Sequence, residues 1–329
     1  PTAPHVEARQ VAPNLTVATP HLVEGMHEEA GEAALCALLD EHLGTDQPQV
    51  AWYYTPMMVP FSRHLEADCT VYDCMDELAN FRFAPPRLLD LEAELFDRAD
   101  LVFTGGYSLY EAKRSRHPSV HPFPSSVDIA HFSQARGIAH ANARPTLGFY
   151  GVLDERFDID LLGAIADARP DWRCVMVGPM VKISPDELPK RANILYPGPA
   201  SYEDLPGLLA EWDVALMPFA INDATKFISP TKTPEYLAAG KPVVSTPIRD
   251  VIRHYGRLGG VKIAATPEEF VAGCEEALQL AGSDGDWLAE VDQALSSMSW
   301  AITQRRMAGL IAEVVDEYQQ ADASAGAVA

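Results

Sequence analysis

The sequence predicts an α/β protein built as two doubly wound domains, each a parallel sheet covered by helices on both faces. Three observations lead there. Short apolar runs alternate with longer stretches of helical periodicity along the whole chain. Short, largely apolar strands separated by helices suit parallel sheets covered on both faces. The length of 329 residues exceeds one ordinary core and suits two.

Taken in order, the strand candidates of the first half are residues 15–19, 51–55, 69–74, 101–104 and 120–124. Helical patterns fall between them at 28–43, 86–99 and 108–116. Trp52, Tyr53 and Tyr54 read as core strand. The second series has strands at 147–151, 172–178, 193–196, 214–218, 242–245 and 261–264. A last helix is expected over 303–319. The stretch 134–145 (QARGIAHANARP) is small and polar and ends at a proline that opens a strand, so it reads as the linker. This gives a first domain over 1–143, a second over 144–300, and a small-residue tail over 321–329 expected to fray. A doubly wound domain commonly opens with a strand, a glycine loop and a helix. The first domain lacks that unit in sequence, and the chain reads as a fragment or as one part of a longer polypeptide.

Composition narrows the function. The chain is 47% hydrophobic and 22% charged, ordinary globular material. Its 47 acidic and 25 basic side chains give a net charge of −22, which argues against a nucleic-acid partner. A nucleotide is compatible, because it needs only a local cation and a helix start. The five cysteines are scattered and read as buried, reduced thiols of a cytoplasmic protein. Cys69 and Cys74 would face opposite sides of one strand, and the ten histidines show no metal spacing, so no metal site and no cofactor are expected. No run of 18 apolar residues occurs, so no transmembrane helix is expected, while peripheral contact with a membrane stays open.

Ligands of open parallel sheets bind beyond the carboxyl ends of the strands. There, Gly151 ends a strand and Arg156 precedes a helix, where it can meet an anion or pair with Asp154, Glu155 or Asp158. Gly178 and Gly198 also end strands; they expose backbone groups to a planar base or simply turn the chain. The most informative segment is SPTKTPEYLAAGKPVV, residues 229–244. Ser229 reads as the N-cap, Pro230 as the first helical residue and Gly240 as the C-cap. Ser229, Thr231 and Lys232 then form a diphosphate seat, with Glu235 one turn deeper for a ribose diol; the competing reading is a solvated Lys232–Glu235 pair. Asn222, in the preceding loop, can reach a sugar or phosphate. In the first domain Asp73 and Asp76 end a strand, where either can orient a hydroxyl or transfer a proton, or Asp76 can cap a turn. Gly105 and Gly106 end the next strand and offer backbone to a second ligand.

The segment KTPEYLAAGKPVV (232–244) resembles the nucleotide-sugar signature of GT-B glycosyltransferases, closest to family 4 and the teichuronic-acid-biosynthesis type. ADLVFT (99–104) and VHPFPSSVD (120–128) resemble the end of that family's first domain. The resemblance implies two Rossmann-like domains, with the donor held by the second and the acceptor facing the first. It implies a last helix crossing back to the first domain, over 301–320 here. It also implies metal-independent, typically retaining transfer from a UDP- or GDP-sugar; the expected function is then sugar transfer to a polysaccharide, glycolipid or similar acceptor by a cytoplasmic protein, with peripheral contact at the inner face of the membrane left open. Arg156 and Lys232 would hold the diphosphate and Glu235 the ribose. The chain departs from the pattern at Val152, Phe227 and Ser125-Ser126, and it offers Asp73 to Asp76 where many relatives have a histidine. Two alternatives remain: a nucleotide-sugar epimerase of the same fold, and a non-catalytic nucleotide-sugar binding or partner module.

Overall fold

The computed structural model describes residues 2–282 and 286–326. Its elements are β1 (His5–Ala12), β2 (Leu15–His21), α1 (Glu28–Leu43), β3 (Val50–Tyr53), α2 (Val59–Ser62), β4 (Cys69–Cys74), α3 (Leu88–Arg98), β5 (Leu101–Thr104), α4 (Tyr107–Lys113) and β6 (Val120–Pro122). They continue with α5 (Ile129–Phe132), β7 (Thr146–Tyr150), α6 (Ile159–Ala168), β8 (Arg173–Val177), β9 (Ile194–Gly198), α7 (Leu205–Ala210), β10 (Val214–Met217) and α8 (Lys232–Ala238). β11 (Val243–Ser245), α9 (Arg249–Tyr255), β12 (Val261–Ile263), α10 (Pro267–Ala281), α11 (Trp287–Leu295) and α12 (Trp300–Gly326) close the chain.

Two parallel sheets form the two domains. The first is four-stranded, in the order β3-β4-β5-β6. The second is six-stranded, in the order β12-β11-β10-β7-β8-β9. Strand β4 (CTVYDC) shows how a strand whose side chains are buried on both faces becomes a central one. Its Cys69 and Val71 enter one core cluster while Tyr72 and Cys74 enter the other, so both faces are buried. The helices that cover the sheets are locally encoded. Asp158 caps α6 by accepting the Leu161 N–H at 2.9 Å, and the helix stops just before Pro170. Thr266 caps α10 in the same way, with Pro267 at its first position.

Three expectations are corrected. The strand expected over 15–19 does not enter a parallel sheet; β2 pairs antiparallel with β1 as a separate hairpin whose side chains are mostly exposed. The long polar side chains of β1, Glu7, Arg9 and Gln10, interrupt it and hide it from a search for apolar runs. The core changes hands upstream of residues 134–145. Phe123 packs in the first domain, whereas Val127, Phe132 and Ala135 already lie in the core of the second. The tail expected to fray from 321 continues as helix to Gly326, and its remainder, residues 327–329, lies outside the described residues.

Helix α12 packs against β4 through Met307, Leu310, Ile311, Val314 and Val315, beside Cys69, Val71, Phe103 and Phe123. The chain therefore crosses between domains twice. The two crossings are joined: the Val127 N–H donates to the Met298 carbonyl at 2.9 Å, and the Ser126 and Thr303 hydroxyls lie 2.7 Å apart. Among the described residues no helix is long and apolar enough to cross a membrane.

Candidate functional site

In the second sheet the strand order reverses direction between β7 and β10, which are neighbours although two strands, β8 and β9, lie between them in the chain. Connections leave such a pair in opposite directions and open a crevice at their carboxyl ends. Gly151 follows β7 at that crevice with φ +144°. A Cβ on Gly151 would lie 2.2 Å from Lys232 Cε and 2.9 Å from its Nζ. The Lys232 side chain thus lies across Gly151, and only glycine leaves it room. Gly178 approaches as closely from β8, since a Cβ there would lie 1.9 Å from the Gly151 carbonyl oxygen.

Lys232 opens α8, and the cap expected at Ser229 is corrected. The helix begins after Thr231, with no side-chain cap. Pro234 explains the delay: without an N–H it cannot donate to the carbonyl of Pro230, so the helical bonds start with Glu235 donating to Thr231. With seven residues, α8 brings a small dipole, and the charge at the crevice comes from side chains. The Lys232 ammonium has no hydrogen-bond or ion-pair partner among the described residues. Burial pulls its pKa below that of a free lysine, with Arg156 adding to the effect and Glu235 and Asp154 opposing it.

Arg156 supplies the second cation. Its Nε and an Nη form a fork on buried Asp154, at 2.6 Å for the shorter contact, so of the two open readings the ion pair is present. The pair holds the guanidinium at the crevice rather than withdrawing it. Arg156 and Lys232 line one cavity of about 230 Å³ together with Asp76, Gly105, Ser229 and Thr231. Burial raises the Asp76 carboxyl and the Arg156 charge pulls it back.

The remaining candidates lie around this cavity. Glu235 Oε2 accepts the Tyr150 hydroxyl at 2.5 Å, a partner the sequence reading missed. Burial raises the Glu235 carboxyl, against the Tyr150 bond and the Lys232 charge. Gly198 ends β9 with φ +90°, farther along the same sheet edge. Asn222 is engaged in its own loop, capping the turn at Thr225 and donating to the Glu155 carbonyl at 3.0 Å; it lines another depression, with Lys226 and Arg249. Asp73 lies in the first domain and accepts the Trp52 indole N–H at 3.2 Å; burial pushes its carboxyl up to about 6. It lines a second cavity, with Trp52 and Tyr54, so of the aromatic run read as core strand only Tyr53 is core.

Gly106 lies where the domains meet. A Cβ there would lie 2.2 Å from Asp250 Oδ2 and 2.6 Å from Ser229 Cβ. Asp250 is 1% exposed and accepts the Ser108 N–H at 3.0 Å. In sequence it reads as an ordinary acid in a first turn, and only the docking of the domains gives it this role. Away from the cleft, Cys36, Asp40 and His64 bring potential ligand atoms within 4.8 Å of one another, with His64 reaching Cys36 and Asp40 from a distant part of the chain. Cys36 is half-buried, unlike the four buried thiols.

Comparison with known proteins places this geometry. Residues 144–280 match the family model described as glycosyl transferases group 1. TuaH of Bacillus subtilis (strain 168), whose name assigns it provisionally as a glycosyltransferase of teichuronic acid biosynthesis, is 27% identical over 261 residues, 71% of this chain. The chain spans 64% of the length of that relative. Among solved structures, a sucrose-phosphate synthase from Thermosynechococcus elongatus is similar with a TM-score of 0.67 at 12% identity, covering 96% of this chain and 86% of its own. Anabaena HepE in complex with UDP gives 0.64 at 15% identity, covering 89% and 86%. TarM of S. aureus, with fondaparinux, α-GlcNAc-glycerol and UDP, gives 0.67 at 12% identity, covering 86% and 59%. The chain thus has the GT-B fold, and its residues 144–280 are similar to the glycosyl transferases group 1 family model.

Proposed function

We propose that the protein is a glycosyltransferase that moves a sugar from a nucleoside-diphosphate sugar to a glycan or glycolipid acceptor. One observation carries the reading: an unpaired ammonium, Lys232, laid over a glycine at the sheet's switch point, with the Arg156 guanidinium lining the same cavity. Two cations facing one small cavity suit a diphosphate, and the strand-ending glycines suit a base lying along the sheet edge. UDP bound in the similar structures of HepE and TarM supports a uridine donor.

In the reaction the bond between the anomeric carbon and the diphosphate oxygen breaks, and its electron pair leaves with the diphosphate. Lys232 and Arg156 neutralise that charge where it develops, so the seat needs no metal. The acceptor oxygen forms the new bond to the anomeric carbon. Asp73 or Asp76 orients the hydroxyl and takes its proton. Retention of configuration follows the sequence resemblance, as does a cytoplasmic site with peripheral membrane contact.

A thermal-shift screen over UDP-, GDP-, ADP- and dTDP-sugars tests donor binding, since specific binding raises stability by mass action. A rise with one nucleotide class that disappears in Lys232→Ala supports the reading; the same rise in that variant sinks it. Product analysis by NMR distinguishes transfer from epimerisation.

A further inference from the structure

The second cavity, of about 350 Å³, lies between the carboxyl ends of the first sheet and helix α12. Its walls come from β3 and the residue after it (Trp52, Tyr54), from the segment after β6 (Phe123, Pro124) and from α12 (Trp300, Met307). It shares Met75 and Ser125 with the cavity that holds Lys232 and Arg156, so the two are adjoining parts of one interdomain cleft.

Its lining is apolar to a degree unusual for a sugar site. Five lining side chains carry an oxygen, Tyr54, Asp73, Ser125, Thr303 and Gln304, and two of those are already engaged: Asp73 with Trp52 and Thr303 with Ser126. A free sugar, ringed with hydroxyls, would leave most of them without partners against Phe123, Met307 and Ile311. The rim is apolar as well. Tyr54 is 62% exposed, Trp300 54% and Met75 42%, although large apolar side chains seldom gather on a surface without an occupant.

We propose that the acceptor is an amphiphilic alcohol. Its apolar body fills the space between Trp52, Phe123, Trp300 and Met307, and its hydroxyl is presented to Asp73 at the edge nearest the donor seat. This rests on the proposed transfer for the identity of the second substrate, but the binding of an apolar body does not depend on donor chemistry. Asp73 is the one carboxylate among the lining residues and serves as the polar anchor, and Met75, between the two cavities, separates the apolar body from the reacting centre.

The test titrates the purified chain with methyl, butyl and hexyl glycosides of one sugar, followed by tryptophan fluorescence and calorimetry, with no donor present. Binding should strengthen with chain length by up to about fourfold per buried methylene. That gradient should flatten in Trp300→Ala, a change at an exposed position that the fold tolerates, and in Met307→Gln. Equal affinity for all three glycosides, or a gradient untouched in both variants whose melting curves match the parent, overturns the proposal. A nucleoside diphosphate titration runs alongside. A chain-length gradient without nucleotide binding would overturn the transfer reading and leave the apolar site standing; nucleotide binding without a gradient would do the reverse.

Discussion

Asp250 of the second domain accepts the backbone N–H of Ser108 in the first, 3.0 Å away, and so caps the opening of helix α4 from across the cleft. Gly106, the N-cap position of that helix, has no side chain to do so and no room for one. The closed arrangement therefore depends on a missing atom in one domain and a carboxylate in the other.

Gly106→Ala tests this directly. Its φ of −172° is accessible to any residue, so the only obstacle is the new Cβ against Asp250 and Ser229. The domains should separate, with a larger radius of gyration by small-angle scattering and weaker donor binding. Asp250→Ala should lose a cap worth about 1 kcal/mol and open the molecule in the same direction.

Lys232→Ala should weaken donor binding or the transition state by about 1.5–3 kcal/mol, a factor of roughly 10 to 150, as expected for a charge-assisted contact. Kinetics at saturating acceptor give the measurement. Gly151→Ala should produce a similar loss without touching the lysine, because the new Cβ would displace Lys232 Cε and the φ of +144° would be strained.

Asp73 gives a pH dependence. Its carboxyl is raised to about 6 by burial, against 3.8 for a free aspartate, so the folded state holds this proton more tightly than the unfolded chain. Its contribution to stability is full below about 3.8 and is lost as pH rises through about 6, a change of up to about 3 kcal/mol. Denaturation at a series of pH values should show that slope in the parent and a flatter one in Asp73→Asn. Activity that needs the carboxylate should rise over the same interval.

Glu92 is 4% exposed and accepts from Lys113 at 2.8 Å, Arg116 at 2.6 Å and Tyr72 at 3.1 Å. Burial alone would raise its carboxyl, but the two cations bring it below the usual range. Glu92→Ala would leave Lys113, itself 3% exposed, with only Glu77, and should cost the first domain about 3–5 kcal/mol. Chemical denaturation would show it.

Much of this was legible in the sequence where a signal is local. Strands 69–74 and 101–104 are mostly apolar and appear with those bounds, and the helix over 28–43 likewise. Lys232 and Gly151 stood out because a short helix and a strand-ending glycine both declare themselves within a few residues. What stayed hidden has long-range causes. Asp250 and Tyr150 acquire their roles only when residues 142 and 85 positions away arrive, respectively Ser108 and Glu235. The apolar cavity needs α12 to return to β4, which brings Trp52 and Trp300 together from opposite ends of the chain. The start of α8 was misplaced by local evidence too, since Pro230 fits a first turn while Pro234 forbids the bond that turn would need.

The pairing of Val127 with Met298 restricts how this molecule can move. Two threads tied at one spot act as a pivot pin rather than a pair of loose tethers. A swing of the two halves about that knot keeps both threads intact, whereas a slide of one half past the other would pull them apart.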